Sequence, residues 1–220
     1  MFEQLMQLPL FQGVSAQQLS ALVEKMPFHF LKYHDGDSII AEGDTCTHIR
    51  FVVSGKVRVR MKFHSLNVQV EQTLEAPNVL APDYLFGLET SYPFDVTAQG
   101  ECGMLQLLKA DYIRVIQSDK VFLFNILNYL SRNSQRFMAG MLDFKHGTVT
   151  ERIALVAAVV TSQQSKQVTI KFLQKDFCTL LGTQRATLIH ALETLQSEGI
   201  IDYDANQIKI INLQALRQKL

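Results

Sequence analysis

Few side chains in this 220-residue chain are spaced for covalent chemistry. Its three cysteines, Cys46, Cys102 and Cys178, are scattered and form no CxxC pair. That argues against a disulfide framework and against a four-thiolate metal or cluster site within one chain. No HExxH, GxSxG or P-loop motif occurs, and no paired carboxylates share a face. Asp111 and Glu101 fall near strand–helix boundaries, where acidic residues cap and solvate. Catalytic residues and a metal site are therefore not expected, nor is enzyme activity. What remains is recognition, and Phe172–Ile201, FLQKDFCTLLGTQRATLIHALETLQSEGII, carries most of it. Phe172, Leu173, Phe177, Leu180 and Leu181 form one apolar set at helical spacing. Gly182 interrupts, and Thr183 is placed to cap the next helix with its hydroxyl. Leu188, Ile189, Ala191, Leu192 and Leu195 form the second set, stopped at Gly199. Two helices across a short glycine turn predict a helix-turn-helix whose second helix enters the DNA major groove.

The rest of the chain must position that unit. Apolar residues make up 47% and charged residues 19%, the balance of a globular protein with a real core. No apolar run is long enough to span a bilayer. The opening MFEQLMQLPLF lacks a basic region followed by an unbroken apolar stretch, so no signal peptide and a cytoplasmic location are expected. Net charge is zero, but residues 1–116 hold 9 Lys and Arg against 13 Asp and Glu, and residues 147–220 hold 8 against 6. The mildly basic end is the one that carries the predicted helix-turn-helix.

Taken in order, Ser15 and Gln18 form a capping box before a helix with Leu19, Leu22, Val23 and Met26 inward. From Phe28 to Leu108 the period falls to two. HFLKY, DSIIAEG, HIRFVVSGKVRVRMKF, NVQVEQTL and FDVTAQGECGMLQLL alternate, with turns at residues 34–37, 43–44, 54–55 and 100. Short strands at this spacing predict an antiparallel barrel or roll. A helical period returns from Asp111 to about Lys145. Phe124, Leu127, Ser131, Ser134, Met138, Met141 and Lys145 recur at steps of three and four, a stripe that reads as a dimer seam; the alternative is a face lying on the roll. His146-Gly147-Thr148 breaks the helix. Val149–Gln163 is a further helix, Ser162–Lys166 a polar loop, and IIDYD with QIKII a hairpin wing before a closing helix from Leu213. The expected fold is α+β: a sensor roll in 1–116, a long helix in 117–146 and a winged helix-turn-helix in 147–220.

This order resembles the cAMP-receptor-protein/FNR (Crp/Fnr) family of transcription factors over essentially the whole chain. The likeness rests on IIAEGDTCTHIRFVVSGKVRV with Gly43 and Gly55, on TVTERIALV with Arg152-Ile153-Ala154, and on DFCTLLGTQRATLIHALETLQSEGII. It implies a jelly-roll sensor resembling cyclic-nucleotide-binding domains, a homodimer on an inverted-repeat site in double-stranded DNA, and contact with RNA polymerase. Family members read bases with three recognition-helix positions. Here those are Arg185, Ala186 and His190. A bidentate arginine–guanine contact is kept through Arg185, while the usual glutamate acceptor to cytosine is lost. Gln184, Thr187 and His190 are left as base or phosphate contacts. Thr183 and Lys171 are expected as phosphate contacts or caps.

The resemblance also implies a ligand pocket, and here the sequence departs from the cyclic-nucleotide binders. Their Gly-Glu-Leu triplet aligns with Ala81-Pro82-Asp83, and their Arg-Ser-Ala run with Tyr92-Pro93-Phe94. The phosphate-binding arginine is gone, and Pro93 removes a backbone donor. Their Thr-Ser pair on the long helix becomes Phe137-Met138. An anion buried there would lack its partner charge, so cAMP is not expected. With Pro82 and Pro93 at the aligned positions, a pocket lined by Tyr92, Phe94, Phe137 and Met138 would hold an apolar ligand or be filled by those side chains, and filling is the expectation. An iron–sulfur cluster like that of the oxygen sensors needs cysteines near the N-terminus, and none precedes Cys46. No cofactor is assigned. Haem, as in CO- or NO-sensing members, is the alternative left open, with His29, His34, His48, His64, His146 and His190 as axial candidates beside methionine. A ligand-binding module without DNA output is the rival from a different class. Cys46 and Cys102 read as buried small residues or redox thiols, and Cys178 as core. The effector, the operator, the genes regulated and the sign of regulation are not readable.

Overall fold

The computed structural model describes residues 2–144, 147–162 and 164–220; for residues 2, 3 and 140–144 only the backbone course is given. The chain packs as two compact units, one of residues 1–58 and 74–134, the other of residues 59–73 and 135–220.

In the first unit, helices α1 (Phe2–Met6) and α2 (Ala16–Lys25) precede the strands. The Ser15–Gln18 capping box forms as the sequence implies, and Leu19 and Leu22 are buried. Strands β1 (His29–Tyr33), β2 (Ser38–Ile40), β3 (His48–Phe63), β4 (Val68–Glu75), β5 (Asn78–Leu80) and β6 (Phe94–Leu108) follow. β6 is the hub. It pairs antiparallel with β1 and β2 and lies beside β3, which pairs antiparallel with β5 and neighbours β4. Gly55 marks the tightest approach in this sheet. It sits at φ +77°, and a Cβ there would overlap the Glu101 carbonyl. Phe11 anchors the helical end of the core, its ring centroid 5.4 Å from Phe51 and 6.2 Å from Phe122.

The predicted single helix from Asp111 is two. Helix α3 (Lys109–Ser118) ends at Asp119, which is extended at φ −150°, and α4 (Lys120–Phe144) starts immediately after. Asp119 makes the break because its carboxylate accepts from Val121 N–H at 3.0 Å, capping the new helix. Along α4, Phe122 and Ile126 are buried, while Phe124, Leu127, Ser131, Ser134, Phe137 and Met138 are exposed. The side chain of Met141, and Lys145 and His146, where the helix was expected to end, lie outside the described residues.

The second unit contains α5 (Val149–Val160), β7 (Lys166–Phe172), α6 (Gln174–Leu181), α7 (Arg185–Ser197), β8 (Ile201–Tyr203), β9 (Gln207–Ile210) and α8 (Leu213–Arg217). The capping box of α5 is Thr148 with Glu151. Here one expectation from the sequence is corrected. Phe172 does not open a helix: it ends strand β7, whose inward residues Val168, Ile170 and Phe172 alternate with polar ones. The chain then turns, and the ring of Phe172 stacks on Phe177 at 4.4 Å. The sheet also takes in a strand from outside residues 147–220. β7 pairs with β9 on one side and, antiparallel, with β4 on the other, in the register Val68↔Phe172 and Val70↔Ile170. Val68 and Val70 are therefore core residues of this unit, packed with Ile153, Phe177, Leu188 and Leu192. Each valine stabilises the unit by about 1.5–3 kcal/mol by leaving water.

Candidate nucleic-acid interface

Gly182 ends α6 in the left-handed conformation at φ +59°. Its N–H and that of Thr183 bond back to Thr179 and Cys178 carbonyls at 3.2 and 3.0 Å, the two-bond closure that favours glycine. Thr183 is thus spent on finishing α6. The predicted Thr183 hydroxyl cap on α7 does not form; the capping position is Gln184, with no side-chain cap. A third group holds the turn. Arg152 Nη1 donates to the carbonyls of Leu181 at 2.8 Å and Gly182 at 3.3 Å, tying α5 to the end of α6. Leu188, Ala191, Leu192 and Leu195 bury the opposite face of α7.

The packing leaves one polar face turned outward. Gln184, Arg185, Ala186, Thr187 and His190 are exposed, and Thr183 is half-buried. Thr183, Gln184, Arg185 and Thr187 line an open depression of about 900 Å³. His190 stands one turn further along α7 and outside that lining. Gln174 and Lys175 from the first turn of α6 share the depression, together with Cys178 and Thr179. The sequence does not mark these four, because the apolar spacing of the first helix shows its buried face and not where its polar face points. Two cations, Lys175 and Arg185, face the concavity. Arg185 makes no ion pair or hydrogen bond among the described residues. Cys178 is half-buried rather than sealed in the core; burial pushes its thiol pKa up, against the pull of the nearby Arg185 guanidinium. Lys171 lies elsewhere. It sits in β7 with Nζ 3.2 Å from Glu71, beside a second depression of about 760 Å³ lined also by Lys62, His64 and Gln207. Glu71 is desolvated, which works against its charge, but Lys171 and Arg60 outweigh this and hold its carboxyl below the usual range.

In the roll, Pro82, Tyr92 and Phe94 are buried and Pro93 half-buried. The rings of Tyr84, Tyr92 and Phe94 meet at centroid distances of 5.8–6.2 Å. Phe137 and Met138 belong to the other unit, exposed on α4. A polar contact lies inside this cluster, between residues far apart in the chain. Tyr92 Oη donates to Cys46 Sγ at 2.8 Å and accepts from Arg50 Nη1 at 3.1 Å. Burial, then the Cys46 contact, push the Tyr92 hydroxyl pKa well up, so it stays a donor. Cys102 is buried, and its thiol pKa is raised for that reason. Of the described histidines, His29, His34, His64 and His190 are exposed, and His48 is half-buried, 2.8 Å from the Thr47 hydroxyl. No described helix is long and apolar enough to cross a membrane.

A roll of this kind joined to a winged helix-turn-helix defines a DNA-binding transcriptional regulator with a ligand-binding domain. Residues 30–119 match the cyclic nucleotide-binding domain family, and residues 135–219 match the Crp-like helix-turn-helix domain family. The chain belongs to the Crp/Fnr family. Its fold is that of the Thermus thermophilus catabolite activator protein, at a TM-score of 0.53 and 20% identity, covering 96% of this chain and 98% of that one. It is also similar to the c-di-GMP-responsive global regulator CLP of Xanthomonas campestris, at 0.50 and 15%, covering 87% and 98%. No curated protein sequence matches the chain.

Proposed function

We propose that the protein acts in the cytoplasm as a homodimer that reads an inverted-repeat DNA site, with Arg185 as the principal base-reading residue. It does no enzyme chemistry, and it engages RNA polymerase in the manner the family implies. The functional division is a sensor roll in 1–116, a dimerising helix in 117–146 and a winged helix-turn-helix in 147–220. The observation that carries this reading is the exposed guanidinium of Arg185 at the start of α7, which makes no ion pair or hydrogen bond among the described residues and stands in an open concavity. Its fork matches the two acceptors on a guanine edge. Gln184 and Thr187 flank it as base or phosphate contacts, His190 extends the face, and Lys175 faces a phosphate. With no glutamate at the position of Ala186, the operator differs from one that pairs glutamate with cytosine. The exposed stripe Phe124, Leu127, Ser131, Ser134 and Met138 supports the dimer, because apolar side chains at this helical spacing are covered by a like helix. The effector is not cAMP: rings fill the position of the phosphate-binding run.

Selection of binding sites from random DNA, followed by footprinting, tests the reading. The expected product is a two-fold symmetric site with half-sites about one helical turn apart. A footprint over a single half-site would remove the dimer, and no enrichment of any sequence would remove specific recognition.

A further inference from the structure

The DNA-reading unit borrows a strand from the other half of the chain. β3 and β4 run without a break from the roll into a hairpin whose outer part, residues 59–73, is built into the second unit. β4 supplies the neighbour of β7, and two polar residues of the hairpin, one in β4 and one at its tip, hold the helix-turn-helix by its two entries. Gln72 Nε2 donates to Val160 O at 3.0 Å, and its Oε1 accepts from Ser162 N–H at 3.0 Å and from the Ser165 hydroxyl. Those contacts fix the end of α5 and the loop into β7. Asn67, at the hairpin tip, fixes the start of α6. Its carbonyl accepts from Leu173 N–H at 3.0 Å. Its Nδ2 donates to Asp176 Oδ2 at 2.7 Å, and its backbone N–H donates to the same oxygen at 3.3 Å.

Helix α6 needs this help. Its capping residue is Leu173, which has no side-chain acceptor for the exposed N–H groups of the first turn. Asp176 is in that turn, and Asn67 orients it. The same turn presents Gln174 and Lys175 to the depression that also holds Arg185. We propose that Asn67 is a positioning residue for DNA recognition: through Asp176 the hairpin sets where the first helix of the reading unit points. Input and output are thereby joined by a strand pair as well as by the long helix.

The test uses the full chain and an operator selected with it. Asn67→Asp places two carboxylates against each other, and adding Asp176→Asn restores a complementary pair with the donor and acceptor exchanged. Binding is followed by fluorescence anisotropy at a temperature where near-ultraviolet circular dichroism shows each variant folded. Asn67→Asp is expected to weaken operator binding about 5- to 30-fold, and the exchange to return it to within about threefold. Amide exchange in residues 174–177 should rise in the single variant and fall back in the double. A folded Asn67→Asp chain that binds like wild type overturns the proposal. So does an exchange that leaves binding weak. If Asn67→Asp does not fold, Asn67→Ala replaces it, with a loss of about threefold or more expected and wild-type affinity overturning the idea.

Discussion

Arg185→Ala is the sharpest probe of how this chain reads DNA. The side chain is exposed and makes no ion pair or hydrogen bond among the described residues, so its loss should change folding stability by no more than about 0.5 kcal/mol. Any loss in binding then belongs to DNA. A bidentate arginine–guanine contact discriminates by about 1–3 kcal/mol, or roughly 5- to 150-fold for one half-site. A symmetric site uses it twice, which gives about 2–6 kcal/mol and at least about 30-fold. Arg185→Lys separates charge from geometry. The ammonium keeps attraction to phosphates but cannot form the fork, so non-specific affinity should hold while preference for the operator falls. Anisotropy titrations of both variants, on operator and on scrambled DNA at one fixed salt concentration, measure the two terms. Unchanged affinity and unchanged preference in Arg185→Ala would show that α7 is not the recognition helix.

Gly55→Ala should destabilise the roll by about 2–4 kcal/mol, because the new methyl meets the Glu101 carbonyl and the backbone is left-handed there; an unchanged melting midpoint would contradict the close approach. Leu127→Glu, at an exposed position on α4, should turn a two-copy species into a one-copy species in sedimentation without unfolding it. Glu71 links stability to pH. Its folded pKa lies below its unfolded value, so its pairing with Lys171 and Arg60 contributes above the usual carboxylate range and is lost as pH falls below about 4. Urea unfolding of Glu71→Gln should therefore lose less stability on acidification than wild type. Calorimetric titration with cAMP should give no binding heat, since an anion would displace buried rings without gaining the family's arginine; saturable binding would reinstate that effector.

Much of this was legible because local periods were strong. The edges of β3 and β6 coincide with the alternation of HIRFVVSGKVRVRMKF and FDVTAQGECGMLQLL, and the Ser15 and Thr148 boxes announce their helices. β7 was also written locally, as Val168, Ile170 and Phe172. The sequence is ambiguous there because Phe172 fits the helical spacing of Leu173 and Phe177 just as well, and only packing decides between the two. Asp119 shows the same ambiguity: a single polar residue inside a long helical period is either a surface position or a stop. The remaining features have no local trace. Asn67 and Asp176 are 109 residues apart, and Tyr92 and Cys46 are 46 apart. Their hydrogen bonds follow from how the sheets fold back. The face of the recognition helix followed from its apolar half, whereas Gln174 and Lys175 joined the interface only once the turn at Gly182 fixed the angle between the helices.

The borrowed strand also bears on how the protein is made. Residues 68–73 leave the ribosome about a hundred residues ahead of β7, their partner in the finished sheet. At about 5–20 residues per second the hairpin waits roughly 5–20 s with Val68, Val70 and one strand edge uncovered. An exposed apolar edge is a template for pairing with other chains. Lys62 of the same hairpin lies near Val68 and Gln69 of that edge, and charge beside a waiting edge is a recognised guard against such pairing. Synthesis at high local density, as on a polysome, is where variants that weaken this guard would first be lost to aggregation, even if the finished protein were as stable as wild type.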